Sequence, residues 1–195
     1  MRLLNEVRFL LHISSSHGIA RRYFVVNGFD GALTMLGLII GFALSTSAEL
    51  STVMNACLGA AIALGMSGLS SAYISETAER KHALDMLEQA MARDLQHSAH
   101  GKAARLVPWI IALVNGLAPL AISLLILMPL WLANAGVQLP LSPLYAAILV
   151  ALALVFLLGV FLGRIAEISW LRSGLHTLIM AVLTAALIYL FVGLF

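Results

Sequence analysis

Apolar positions along the chain gather into five long runs, at about 23 to 44, 53 to 75, 108 to 132, 144 to 163 and 174 to 194. Each reaches or nearly reaches the roughly 20 residues that a helix needs to cross a hydrocarbon core about 30 Å thick. Lipid offers no partner to backbone N–H and C=O groups, so runs of this kind predict transmembrane α-helices. Before the first run, Leu3, Leu4, Val7, Leu10 and Leu11 recur at spacings of three and four between Asn5, Glu6 and Arg8. That period predicts an amphipathic helix over residues 1–20, lying in the membrane interface and steering the chain into the first span; a regulatory or partner-binding role is the other reading. The SSSHG stretch that follows is not a small-residue cleavage site, so the segment does not read as a signal peptide.

Between the second and third runs the pattern changes. In ETAERKHALDMLEQAMARDLQHSAHG, Ala83, Leu84, Leu87, Met91 and Leu95 keep helical spacing among charged residues. This predicts a solvated helix continuing span two after a bend, ended by Gly101, with Pro108 as the first residue of span three. The expected organisation is an amphipathic helix (1–20), spans one and two (21–75), a cytoplasmic helical segment (76–107) and spans three to five (108–195). The fold class is all-α, a polytopic membrane protein with five transmembrane helices.

Composition agrees: 62% of the 195 residues are hydrophobic and only 10% charged, far from the balance of a water-soluble domain. The positions of the charges add orientation. All 11 Lys and Arg residues fall before span one, between spans two and three, or between spans four and five, while 45–52 and 133–143 contain none. The positive-inside rule therefore predicts a cytoplasmic N-terminus and an external C-terminus. No basic groove or motif supports nucleic-acid binding. The single cysteine, Cys57, can form no disulfide within the chain.

Candidate chemistry begins where polarity interrupts the first run, RRYFVVNGFDGALTMLGLIIGFAL. Asp30 lies about 13 Å along a helix from Arg21, close to mid-membrane. A carboxylate at that depth costs roughly 2.5 to 3.5 kcal/mol on the lenient scales, and such residues mark ion and proton paths. Asn27, one turn earlier, shares its face, and Gly28 and Gly31 beside them permit close approach of another backbone or a substrate; a hydrogen-bonded pair that fixes helix packing is the structural alternative. Gly37 with Gly41, and Gly159 with Gly163, are small-xxx-small pairs that signal tight helix contact without naming the partner. Span two carries Met66, Ser67, Ser70 and Tyr73, a thioether and oxygens that can line a cavity. In span three Pro119 cannot donate to the residue four back, which frees the carbonyl of Asn115, either as a polar lining or as an ordinary proline kink. Outside the membrane, Glu76 with Glu79 and Asp85 with Glu88 are carboxylates one turn apart that can hold a divalent cation, near His82; the alternative is a solvated surface whose acids offset Arg80, Lys81 and Arg93. His97 with His100 is a weaker metal candidate at the helix end, and His12, His17 and His176 do not group.

The stretch NGFDGALTMLGLIIG resembles the first-span signature of the vacuolar iron transporter family. The likeness extends to YIS in span two, NGLAPLAISLLILMP in span three and LGRIAEISWLRSGLHTLIMAVLTAALIYLFVG at the end. What the resemblance implies is a homodimer of five-span subunits with a metal path at the subunit interface. It also implies export of iron or manganese from the cytosol in exchange for protons, with Asp30 as the intramembrane aspartate. Counted back from Tyr73, the family's span-two methionine, glycine and glutamate positions hold Gly68, Ser71 and Ala72. Sulfur would then come from Met35 or Met66, and Glu76, Glu79, Asp85 and Glu88 form a reduced version of the family's acidic cytoplasmic helices.

The expected function is thus a proton-coupled divalent metal exporter in a bacterial or archaeal plasma membrane, with no bound cofactor and the metal as substrate. The path would run by Asn27, Asp30, Met35, Met66, Ser67, Ser70, Tyr73 and Asn115. Transport of another solute on the same scaffold, or a non-transporting membrane adaptor, are the alternatives. An enzyme is not expected, because no Ser/His/Asp arrangement, His cluster or cofactor loop is present.

Overall fold

A computed structural model describes residues 17–45 and 49–192. The described residues form five helices: α1 (His17–Leu44), α2 (Leu50–Met91), α3 (Ala99–Asn134), α4 (Pro143–Ile165) and α5 (Trp170–Val192). All five are long and apolar enough to cross a membrane, and the described residues contain no strand. The amphipathic helix expected over 1–20 falls largely outside the described residues, but α1 already extends back to His17.

The segment between spans two and three departs from expectation. α2 runs unbroken for 42 residues and ends at Met91. Ala92 then takes a left-handed conformation at φ 49°, and Arg93 donates its N–H to the Glu88 carbonyl at 3.2 Å, a helix ending built without glycine. The chain reverses over 92–98. Ser98 opens α3, its Oγ accepting the N–H groups of His100 at 3.2 Å and Gly101 at 3.4 Å, as an N-cap does. Gly101 therefore does not end a helix; it lies inside α3, where a Cβ would run into the Gln96 and Leu95 carbonyls of the folded-back turn. Pro108 is likewise internal to α3, and the N1 proline is instead Pro143 of α4, behind Ser142.

The described chain divides into two compact units, through both of which α1, α2 and α3 pass. The first takes Gly65–Leu117 with the residues up to Phe24. Its interior is a small apolar cluster of Ala103, Val107 and Ile111, packed by Ile19, Tyr23 and Ile110. α2 and α3 meet there backbone to backbone: a Cβ on Gly116 would lie 2.6 Å from the Gly65 carbonyl oxygen.

The second unit takes Val25–Leu64 and the residues from Ala118 on. Met35, Leu36, Ile39, Val53, Cys57, Ile126, Leu127, Leu130, Ala151 and Val155 fill its core. α4 and α5 form a hairpin on small residues. Gly159 faces Gly174 and Thr177, while Gly163 faces Trp170 and Ser173. Thr177 donates its hydroxyl to the Val155 carbonyl at 3.2 Å across the pair. The Gly159–Gly163 signal thus has its partner in α5, whereas a Cβ on Gly41 would meet nothing within 4 Å. Beyond the hairpin contact, α5 is almost entirely exposed, presenting Leu175, Ile179, Leu183, Leu187 and Leu190 outward as a surface suited to lipid or another chain.

Candidate functional site

Asp30 is the fourteenth of the 28 residues of α1, at the middle of the helix. It is exposed on the outside of the chain, with no hydrogen-bond or ion-pair partner among the described residues. Local packing explains the direction. Gly28 lies under Leu158 and Ile122, and a Cβ on Gly31 would stand 2.7 Å from the Pro119 carbonyl oxygen. α1 therefore presses its glycine face against α3 and α4, and Asp30 is left pointing away from that contact. Gly31 thus admits the close approach of another backbone, that of α3 at Pro119 in the same chain, whereas Gly28 packs under side chains. Asn27 is half-buried.

The remaining expected path residues belong to one or the other of the two units. Met66, Ser67 and Ser70 are exposed on α2, within one band spaced by three and four residues. Met35 is wholly buried in the core of the second unit, among aliphatic side chains. Asn115 is buried in the first unit, where its amide nitrogen donates to the Gly68 carbonyl at 2.6 Å. Its backbone carbonyl, freed by Pro119, abuts the α-carbon of Gly68, where a Cβ would stand 3.0 Å away. Asn115 thus fastens α2 to α3, which is one of the roles membrane helices give to amide side chains. Tyr73 is half-buried against Trp109, the ring centroids 4.2 Å apart.

The four extramembrane acids do not converge. Glu76 and Asp85 are nine residues apart on one unbroken helix, which at about 100° per residue sets them on opposite faces. Glu76 is buried and lies 3.3 Å from the Arg80 guanidinium. With the exposed Glu79 it borders a cleft of about 380 Å³ that Arg22 and Tyr23 of α1 also line. Glu88 is engaged elsewhere: its Oε1 accepts the Leu95 N–H at 2.9 Å and so holds the 92–98 turn. Asp85 and Glu88 border a shallow depression with Arg93 and Asp94. No group of three or more His, Cys, Asp or Glu side chains able to hold a metal ion occurs among the described residues. Cation binding on this segment would have to use pairs, each with an arginine beside it.

Two features went unremarked in the sequence. Arg105 donates to the Gln96 carbonyl at 2.7 Å and to the Gly101 carbonyl at 3.2 Å, clamping the turn. A second cleft of about 400 Å³ opens beside it, lined by Tyr73, Thr77, Lys81 and Asp85 of α2 and by Arg105 and Trp109 of α3. The signal was available: four of these residues recur every four positions on α2, and the other two are four apart on α3.

Five apolar helices with an intramembrane carboxylate and outward apolar faces define an integral membrane protein. The chain is 31% identical over 172 residues, 87% of its own length and 86% of the other's, to the uncharacterized protein MJ0645 of Methanocaldococcus jannaschii. It belongs to the same family as that archaeal protein. No family model matches the chain, and no solved structure matches it.

Proposed function

We propose that the protein is a proton-coupled exporter of a divalent metal, iron or manganese, working as a homodimer in an archaeal or bacterial plasma membrane with its N-terminus in the cytosol. The observation that carries the reading is Asp30: a carboxylate halfway along a membrane helix, on the outside of the chain, with no partner among the described residues. Facing hydrocarbon, it would cost several kcal/mol, so protein or water has to cover it. A second copy of the chain meets that need, and it sets two Asp30 carboxylates against one dication. Each carboxylate can release the ion by taking up a proton, which is the exchange an antiporter requires. Asn27 lies one turn away on the same helix, and Met66, Ser67 and Ser70 stand exposed on α2 with a sulfur and two hydroxyl oxygens. The resemblance to vacuolar iron transporters supplies the substrate class.

Gly68 and Ala72 favour a second reading. They stand where the resembled family has a methionine and a glutamate, and both are buried, which fits the same scaffold moving another solute. Proteoliposomes under an imposed pH gradient test the two together. Manganese or ferrous flux is expected from the wild type, and Asp30→Asn should reduce it close to background while the amount of folded dimer is kept. Wild-type flux from Asp30→Asn would overturn the mechanism, and absence of metal flux from the wild type would favour the second reading.

A further inference from the structure

We propose that the cleft between α2 and α3 of the first unit holds the phosphate headgroup of an anionic phospholipid, with the acyl chains descending along Trp109, Leu113 and Leu117. The lining changes character in one direction. Toward the apolar half of the helices lie the rings of Tyr73 and Trp109, in contact at a tilt of 40°. One turn outward along α2 is the Thr77 hydroxyl, and two turns outward the Lys81 ammonium; one turn outward along α3 is the Arg105 guanidinium. Ring, hydroxyl, cation is the order in which a phospholipid presents its chain, its glycerol esters and its phosphate. Tyrosine and tryptophan concentrate at this interfacial depth, and basic pockets between membrane helices bind anionic headgroups.

Charge and preorganisation agree. Lys81 and Arg105 outnumber the single lining carboxylate, Asp85. Arg105 is already oriented by its bonds to the Gln96 and Gly101 carbonyls, and a guanidinium has five N–H donors, so donors remain for an anion. A volume of about 400 Å³ is within the usual range for a small-molecule site. The cleft opens onto a lipid-facing strip rather than onto polar surface alone. Trp109, Leu113 and Leu117, spaced four apart on α3, are 50%, 47% and 54% exposed. A soluble phosphate compound has no use for that strip, whereas an acyl chain covers it.

The test is native mass spectrometry of the detergent-purified full chain with phosphatidylglycerol or phosphatidylcholine added, alongside competition by inorganic phosphate. Phosphatidylglycerol should be retained in preference to phosphatidylcholine. Lys81→Gln, at an exposed position away from the turn, should lower that retention roughly fivefold. Lys102→Gln removes the same charge from an exposed residue outside the cleft and should leave retention unchanged. The proposal is overturned if Lys81→Gln retains the lipid like the wild type, if Lys102→Gln loses as much, or if inorganic phosphate displaces the lipid at millimolar concentration. The last outcome would assign the cleft to a soluble anion.

Discussion

Asp30 and Gly31 are adjacent in sequence and opposite in circumstance, one left on the outside of the chain and the other pressed to the Pro119 backbone. The polarity of Asp30 was legible because a carboxylate interrupts an apolar run. The direction in which it points was not, because that depends on which neighbours α1 meets. Substitution at the glycines separates contact from mere smallness. Gly31→Ala forces a methyl group against backbone that cannot rotate away and should cost about 1–3 kcal/mol. Gly41→Ala enters open space and should be neutral or stabilising by up to about 1 kcal/mol. Thermal unfolding of the two variants in detergent checks both. Asn115 teaches the same lesson from the other side. Span three showed its carboxamide and the missing donor at Pro119, but only the packing of α2 on α3 turns these into a helix fastener. Asn115→Leu should lower stability by about 1 kcal/mol, less than in a water-soluble core because the unfolded chain in a membrane also finds partners.

At the scale of elements, all five spans were legible, since 20 apolar residues admit few alternatives in lipid. The ends were less so. α2 stops at Met91 on an alanine in the left-handed region, with Glu88 and Arg105 bonding the turn that follows, and none of these is a local stop signal. Glycine and proline were read as punctuation, whereas Gly101 and Pro108 serve close packing inside α3. Gly136, at φ 86°, does end α3 in the expected manner, with Val137 donating to the Leu132 carbonyl at 3.0 Å. Ala92 holds about 1 kcal/mol of backbone strain that glycine does not. Ala92→Gly should therefore raise the thermal midpoint in detergent, while Glu88→Ala should speed amide exchange over 92–98 and leave α3 intact.

For the whole molecule, the placement of every Lys and Arg predicts which ends of the helices meet the cytosol. Reporter domains inserted after Asp94 should report cytoplasmic and those after Ala135 external; the reverse pattern would invert the topology. The acids were legible as two pairs, Glu76 with Glu79 and Asp85 with Glu88, and the structure places each pair beside its own cleft. Helical periodicity puts Glu76 opposite Asp85, nine positions on, so the pairs do not merge. Replacing Glu79 and Asp85 together with glutamine should leave metal flux nearly unchanged, because the two stand on separate faces; a large loss would mean that the extramembrane segment gathers the ion after all.

The continuity of α2 has a mechanical side. From Met66 to Met91 the helix is about 38 Å of rod without a joint, so a tilt of about 5° in the membrane becomes about 3 Å at the far end. Such a rod works as a lever in both directions. Anything that seizes its outer arm, a headgroup at Lys81 or a cation at Glu79, also restrains the serine band inside the bilayer, and the protein needs no hinge to feel at one end what is held at the other.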